Sequence, residues 1–322
     1  MKTIRWGIIG CGDVCEVKSG PGLQKASGSE LVAVMRRDPV KAADYAKRHG
    51  VPRWYNDGAA LIGDSEVDAV YIATPPGNHL EYTRMAALAG KPVYVEKPMA
   101  GTHNECLEML EVCEAAGVPL FVAYYRRCLP RFLAVCEAVQ AGRIGKPMTV
   151  HIAFRRPPSP KELGPDKLWR VIPEQSGGGH LWDMGSHALD YLDYLLGPIE
   201  EASGFATNSA GLYEPEDTVC GSFRFANGVL GSGAWSFACG VEEDSMDIIG
   251  SEGKVSLSVF GTEPPRLVTN DGCENLVGGT PVHVQQPLIQ TIVDELNGSG
   301  KCPSTGESAA RTNKVLEQLA GC

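Results

Sequence analysis

Ile4-Arg5-Trp6-Gly7-Ile8-Ile9-Gly10-Cys11-Gly12-Asp13-Val14-Cys15 stands at the start of the chain, and its reading decides the fold class. The run Ile4 to Ile9 has the length and apolar character of a buried strand, and it ends on a glycine cluster. Gly10-x-Gly12-x-x-Cys15 matches the dinucleotide fingerprint except at its third small position. Glycines there allow a tight turn and close backbone approach to a pyrophosphate, whose charge a helix N-terminus favours. The competing reading is a glycine turn with no ligand. The units that follow weigh against it, since the motif opens the first of several strand–helix repeats. Gly10, Cys11, Gly12, Asp13 and Val14 are therefore expected to contact a dinucleotide.

Outward from this motif, strands are expected at Glu30 to Met35, Ala69 to Ala73, Pro92 to Val95 and Leu120 to Ala123. Helical patterns lie between them. Asp38-Pro39 reads as an N-cap followed by proline at the first helical position, with Gly50 closing that helix. Asn78 with Glu81 three residues later resembles a capping box for a helix to about Gly90, and Thr102 to Ala116 reads as a further helix. Such alternation means a parallel sheet with helices on both faces. After about Tyr124 the texture changes. A helix from about Leu129 to Ala141 leads into an alternating strand, Met148 to Arg155, then a proline-rich loop with Pro157, Pro158, Pro160 and Pro165. Leu181 to Leu196 reads as a helix, and a hairpin is expected at Asn227-Gly228. Helices are expected at about Pro287 to Asn297 and Glu307 to Ala320. The organisation expected is a dinucleotide-binding domain over 1–123 and an α+β domain over 124–322.

Composition bounds the function. The 322 residues include 29 Lys+Arg against 39 Asp+Glu, a net charge of −10, with no basic run, so nucleic acid and anionic membranes are not expected partners. No apolar stretch reaches the roughly 18 residues of a membrane span. Eleven scattered cysteines, Cys11 to Cys322, include no CxxC pair. Met1-Lys2-Thr3 leads straight into the first strand, without the form of a signal peptide. Together these suggest a reduced, cytoplasmic chain.

The second strand ends at Met35-Arg36-Arg37-Asp38. An NAD site usually offers an acidic residue there, to the ribose 2′-hydroxyl. Arg36 and Arg37 instead suit a 2′-phosphate through charge-assisted bonds, and Asp38 is explained by its capping role. NADP is thus favoured, with NAD possible; the plainer reading is two solvated arginines. Val95-Glu96-Lys97-Pro98 follows a buried strand directly. Ligands bind at the carboxyl ends of strands in doubly wound sheets. Lys97 there could exchange a proton with a substrate hydroxyl, or simply pair with Glu96. Further on, Asp183 and His187 are spaced i and i+4, one face of a helix, and suit acid–base work on a carbonyl or alcohol. His187 could equally be a satisfied core histidine. His180 lies close by, but the ligand spacing for a metal is poor, and none is expected.

These residues carry a resemblance. Gly10-Cys11-Gly12, Thr74-Pro75 with His79, Glu96-Lys97-Pro98, Tyr125-Arg126-Arg127 and the glycine run into Asp183-x-x-x-His187 occur in the order seen in the Gfo/Idh/MocA oxidoreductase family. The resemblance covers most of the chain. It implies an N-terminal Rossmann domain and a C-terminal α+β domain, whose large, mostly antiparallel open sheet forms subunit contacts in a homo-oligomer, a dimer or tetramer. It also implies hydride transfer between NAD(P) and a sugar, polyol or related hydroxyl or carbonyl compound. Lys97 would be the catalytic lysine, and His187 the acid–base residue at the reacting oxygen. Asp183 would bind a substrate hydroxyl or orient His187, with Tyr125 and Arg126 also on the substrate. Thr74, Pro75 and His79 would edge the nicotinamide half, with Glu96 beside the ribose. Trp169-Arg170 resembles a pair contacting NADP in the anhydrofructose-reductase branch. Cys15, Tyr125 and His283 depart from the usual alanine, asparagine and tyrosine. Two other functions remain conceivable for this scaffold: an NAD-dependent glycosidase of the same family, and a non-catalytic nucleotide sensor. Retention of Lys97, Asp183 and His187 together disfavours the sensor.

Overall fold

Both faces of the first strand are apolar, so it can lie only where both are covered, in the interior of a parallel sheet. The computed structural model, which describes residues 2–164 and 168–321, places it there. Met1, Pro165 and Cys322 lie outside the described residues. In chain order the elements are β1 (Ile4–Ile9), α1 (Asp13–Val17), α2 (Ser19–Lys25), β2 (Ser29–Met35), α3 (Pro39–His49), β3 (Arg53–Tyr55), α4 (Gly58–Ile62), β4 (Ala69–Ile72), α5 (His79–Leu88), β5 (Val93–Val95), α6 (His103–Ala116) and β6 (Leu120–Val122). The strands form one parallel sheet in the order β3-β2-β1-β4-β5-β6. The order reverses between β1 and β4, which makes that gap the topological switch point. One face of this sheet buries Ile9, Val70, Ile72, Val93 and Val95 against α4, α5 and α6, in a cluster with Leu61, Ala86 and Met109. Gly7 sits in mid-strand because a Cβ there would lie 2.6 Å from Leu61 of α4.

Local signals behave mostly as expected. The Asp38 carboxylate accepts from the amides of Val40 and Lys41 at 3.0 and 3.2 Å, and Gly50 ends α3 at φ 66°. The capping box expected at Asn78 does not form. A 3₁₀ turn over Pro76–Asn78 precedes α5, and the Asn78 side chain makes no cap hydrogen bond. Two elements of this sheet layer have no clear trace in the sequence, β3 and α4. Neither is long enough to display a period, and β3 is only half covered.

The chain divides into two units. The first runs through Ala100, continues over Asn104–Tyr125 and includes Pro281–Ala310. The second comprises Gly101–His103, Arg126–Thr280 and the chain from Arg311 onward. It contains α7 (Pro130–Gln140), β7 (Pro147–Arg155), α8 (Pro160–Leu163), α9 (Pro173–Ser176) and α10 (Ser186–Leu196). Its remaining strands are β8 (Ile199–Thr207), β9 (Thr218–Phe225), β10 (Leu230–Ser236), β11 (Glu243–Gly250), β12 (Gly253–Leu257), β13 (Arg266–Thr269) and β14 (Gly272–Asn275). They form an eight-stranded sheet, β14-β13-β12-β11-β7-β10-β9-β8, antiparallel throughout except between β7 and β10. Burial alternates along β7, with Val150, Ile152 and Phe154 inside, as a sheet covered on one face requires. The expected hairpin turns at Asn227-Gly228, with Gly228 at φ 87°.

Residues 281–310, read in the sequence as part of the second domain, belong to the first unit. Here α11 (Gln286–Leu296) buries Leu288, Ile289, Ile292 and Val293, and a Cβ on Gly22 of α2 would come within 2.8 Å of Ile289. Ser304 then bonds the backbone of Val122 on edge strand β6, and Phe121 pairs with Thr305, so the sheet edge is covered. The last helix, α12 (Gly306–Ala320), starts in the first unit and ends in the second. Among the described residues no helix is long and apolar enough to cross a membrane.

Candidate functional site

Each strand of the first sheet hands its ladder on to the residue beyond it. Gly10 N and Cys11 N donate to Met35 O at 2.9 and 3.1 Å, and Ala73 N donates to Ile9 O at 2.8 Å. Glu96 N donates to Ile72 O at 2.8 Å, and Arg36 N to Tyr55 O at 3.1 Å. The glycine loop, Arg36, Thr74 and Glu96-Lys97 thus line up along one edge, at the carboxyl ends of β1, β2, β4 and β5. Gly10 has φ 86°, and a Cβ there would fall 2.9 Å from Thr74 Cγ2. The loop after β1 therefore lies directly against the loop after β4, too close for any side chain at position 10, whereas a Cβ on Gly12 would meet nothing nearer than Gly10 O at 3.8 Å.

Asp13 and Val14 start α1, which stops at Val17; α2 begins at Ser19. Tyr45 of α3 donates to Cys15 O at 2.8 Å and anchors this short helix. Cys15 fills the third small position fully buried, and burial pushes the neighbouring Cys11 thiol up to about 11, so neither is a ready nucleophile. Arg36 Nη1 donates to Cys11 O at 3.3 Å, which lays its guanidinium beside the glycine loop. Arg37 is exposed.

His79, expected beside the nicotinamide half, is fully buried at the head of α5. Its Nδ1 lies 3.0 Å from Met99 O and its Nε2 2.8 Å from Thr74 O. Burial lowers its pKa, and the neutral ring, which carries one N–H, donates to one of these carbonyls while packing between the loops after β4 and β5. Pro75 caps the turn between them. Glu96, expected beside the ribose, is 8% exposed. Its Oε1 accepts from Tyr71 at 2.5 Å and from Gln285 at 2.7 Å, and its Oε2 from the Lys97 amide at 3.2 Å. Lys97 is partly exposed, and the bond to Pro98 is cis. Gln285 gave no sequence signal. It lies in a segment far along the chain, and only the fold brings it here. His283, two residues earlier, has Nδ1 3.3 Å from Val17 O. Tyr125 is buried at the end of the first unit.

In the second unit the glycine run leads into a π-helical turn, Leu181–Gly185, before α10. Asp183 is in that turn and His187 in the first turn of α10, so the expected single α-helical face is interrupted between them. Inserted π turns are frequent at functional sites. The Asp183 carboxylate accepts from Arg170 Nε at 2.8 Å, and the Arg170 guanidinium lies 4.6 Å from the Trp169 ring centre. His180 turns elsewhere, to Glu162 at 3.0 Å and Arg156 at 3.1 Å; burial, then Arg156, lowers its pKa to about 4. His187 is buried edge-on to Phe260, ring centres 5.7 Å apart, and the Arg126 guanidinium lies 4.6 Å from the same ring. Arg126 also donates to Val259 O at 2.9 Å. The Asp244 carboxylate holds this turn through the amides of Val259, Phe260 and Gly261. Phe260 thus joins two predicted site residues, His187 and Arg126. A single phenylalanine in a loop carried no signal of that role.

Both units match family models. Residues 4–124 fit the oxidoreductase family with an NAD-binding Rossmann fold, and residues 132–256 fit the GFO/IDH/MocA C-terminal domain. The chain belongs to the GFO/IDH/MocA oxidoreductase family. Within it, the chain is 37% identical over 321 residues to Oxidoreductase P35 of Formosa agariphila, covering 99% of each. It is 30% identical over 308 residues to 1,5-anhydro-D-fructose reductase of Ensifer adhaerens, covering 94% of this chain and 91% of that one. In fold it is similar to the WlbA dehydrogenase of Bordetella pertussis, solved with NADH and UDP-GlcNAcA. That likeness has a TM-score of 0.86 at 24% identity, over 99% of this chain and 94% of that one.

Proposed function

We propose that the protein is a dehydrogenase or reductase that moves a hydride between a nicotinamide cofactor, NADP(H) in preference to NAD(H), and a sugar, polyol or related hydroxyl or carbonyl compound. The observation that carries this reading is the row of Gly10, Thr74 and Lys97 at the switch-point edge of a parallel sheet. The family relatives named for sugar and polyol chemistry supply the substrate class. Gly10 lets the turn close against Thr74, and Gly12 leaves the backbone bare where a pyrophosphate would lie, so the residues fit a dinucleotide. When bound, the nicotinamide supplies the hydride acceptor or donor. Lys97 takes the hydroxyl proton as the substrate carbon is oxidised and returns it on reduction. His187 acts at the reacting oxygen, and Asp183, already paired with Arg170, binds a substrate hydroxyl. Trp169 and Arg170 serve the cofactor. The test is a screen of the purified chain with NADPH, NADH, NADP and NAD against carbonyl sugars, polyols and aromatic diols. Redox turnover with a sugar or polyol is the expected result. Release of sugar from a glycoside without net cofactor turnover would favour the glycosidase reading instead.

The NADP preference rests on Arg36, held beside the glycine loop, and on exposed Arg37. Loss of charge-assisted bonds of roughly 1.5–3 kcal/mol corresponds to about 10- to 100-fold in affinity. The Arg36→Ala, Arg37→Ala double variant should weaken NADPH binding by that factor and NADH binding far less, in fluorescence titrations of both. Equal loss for both cofactors would refute a 2′-phosphate contact. A homo-oligomer is also proposed, through the outer face of the second sheet. Phe205, 87% exposed, leads a row across it through Cys220, Ala234, Ala153 and Ser245, all uncharged. Light scattering should give a dimer or tetramer mass; a monomer at micromolar concentration would reject that use of the face.

A further inference from the structure

On the face of the first sheet opposite the Ile9–Val95 cluster, three aromatic side chains stand on three neighbouring strands. Trp6 of β1 meets Tyr94 of β5 edge-on with centroids 6.3 Å apart, and Tyr94 stacks on Tyr71 of β4 at 4.7 Å. All three are fully buried. Two phenol hydroxyls and the Glu96 carboxylate are thereby brought into an apolar layer, where each polar atom must find a partner. Gln285, 1% exposed, serves two of them, the Tyr94 hydroxyl and the Glu96 carboxylate, while the Tyr71 hydroxyl bonds Glu96 directly. Gln285 Oε1 accepts from Tyr94 at 2.9 Å, while its Nε2 donates to Glu96 Oε1 at 2.7 Å, beside the Tyr71 hydroxyl at 2.5 Å. The other carboxylate oxygen takes the Lys97 amide at 3.2 Å. The chain is continuous: Tyr94, Gln285, Glu96, backbone of Lys97.

The amide of glutamine is suited to this place because it offers an acceptor on one side and a donor on the other. Leucine would fill the volume and leave the Tyr94 hydroxyl and one carboxylate lone pair without it. Glutamate would have to carry a proton to imitate it. The remaining titratable groups facing Glu96 are Cys15 of α1, His79 of α5, Tyr71, Tyr94 and Lys97. Gln285 is the residue that bonds both the Tyr94 hydroxyl and Glu96 Oε1.

We infer that Gln285 is a positioning residue of the Rossmann unit: it fixes the Glu96 carboxylate, and through it the backbone at Lys97. The cofactor unit is then complete only with the segment 281–310, which supplies that residue. The inference rests on the reading of Lys97 as the proton-transfer group for its functional meaning. Its structural content does not, and the experiment reads that content without any substrate.

The experiment is hydrogen exchange by mass spectrometry on the full chain. It compares the wild type with Gln285→Leu, Gln285→Glu and Tyr94→Phe at pH 6 and pH 9. The reporter is the Lys97 amide in peptides spanning 95–100. In Gln285→Leu its protection should fall about tenfold at both pH values, the scale of one net hydrogen bond. In Gln285→Glu, two carboxylates at hydrogen-bond distance share one proton at pH 6 and repel once it is lost. Protection should therefore be near wild type at pH 6 and lost at pH 9. Tyr94→Phe, which keeps the Gln285 bond to Glu96 and removes its bond to Tyr94, should give a smaller loss in the same peptide. A general packing defect would instead loosen residues 286–296 equally, with no difference between the two pH values, and that result would overturn the inference. So would wild-type protection at Lys97 in all three variants. Should Gln285→Leu fail to fold, the pH contrast in Gln285→Glu still decides. Normal exchange behaviour as predicted, combined with no turnover in the cofactor screen, would keep this positioning role and reject the redox reading.

Discussion

In a Lys97→Met variant, hydride transfer on the substrate found by the cofactor screen is expected to fall by about 10²- to 10⁴-fold, the range general acid–base groups contribute. Cofactor affinity should change little. Methionine keeps an unbranched apolar stem of similar reach and removes the terminal amine that takes the proton. The fold should tolerate the change. Lys97 is partly exposed, and the adjacent Glu96 carboxylate takes its hydrogen bonds from Tyr71, Gln285 and a backbone amide. Two measurements check this together: steady-state oxidation of NADPH, and a fluorescence titration of the same variant with NADPH. Lost turnover with retained binding assigns Lys97 to the chemical step. Unchanged turnover removes it from the mechanism, and loss of both would assign it to cofactor binding.

What could be read from the sequence divides along a physical line. Strands β1, β2, β4, β5 and β6 are continuous apolar runs because both sheet faces are covered, and such runs stand out in any window. Asp38, Pro39 and Gly50 mark the ends of α3 by local stereochemistry alone. Gly10 was equally legible, since a turn at positive φ that touches Thr74 admits little else. Long-range partners left no such trace. Gln285 meets Glu96 across 189 positions, and Phe260 meets His187 only through a turn that Asp244 holds. The inclusion of 281–310 in the first unit was hidden for the same reason: α11 reads simply as an amphipathic helix, and its pattern does not name the surface it covers. The π turn at Leu181–Gly185 escaped because an inserted residue shifts the helical phase without altering composition.

The largest stability effect is expected three residues beyond His187, at the pair Arg127–Asp190. Arg127 follows the Tyr125-Arg126 segment, and Asp190 lies on α10. Arg127 donates from Nε to Oδ2 at 2.9 Å and from Nη2 to Oδ1 at 2.6 Å and to the Asp190 backbone carbonyl at 3.3 Å, with side chains 3% and 1% exposed. Asp193 lies 3.8 Å from the same guanidinium and is itself paired with Arg311 at 2.6 Å. Burial pushes the Asp190 carboxyl up to about 6, against the pull of Arg127 in the other direction. A folded-state value above the ordinary one means that the folded form holds its proton more tightly than the unfolded chain. This group's contribution is therefore full below the unfolded value of about 4 and is lost as pH rises through 6. Arg127→Ala removes the countercharge and leaves a buried carboxylate, at a cost of about 3–5 kcal/mol near pH 8. Without Arg127 the carboxyl's folded-state value rises further. Lowering the pH to 5 should then protonate Asp190 and return part of the loss, in urea unfolding followed by circular dichroism. Asp190→Asn should behave differently. Asp193 still faces the stranded guanidinium, so the cost should be smaller, and no carboxyl remains at position 190 to produce the recovery at low pH. A loss in Arg127→Ala that is the same at pH 5 and pH 8 would mean that charge burial at Asp190 is not its origin. Because the pair fixes the helix that carries His187, the variant also separates stability from catalysis. Activity per folded molecule should fall at pH 8 only if α10 shifts and moves the imidazole, and turnover normalised to the folded fraction reads that difference directly.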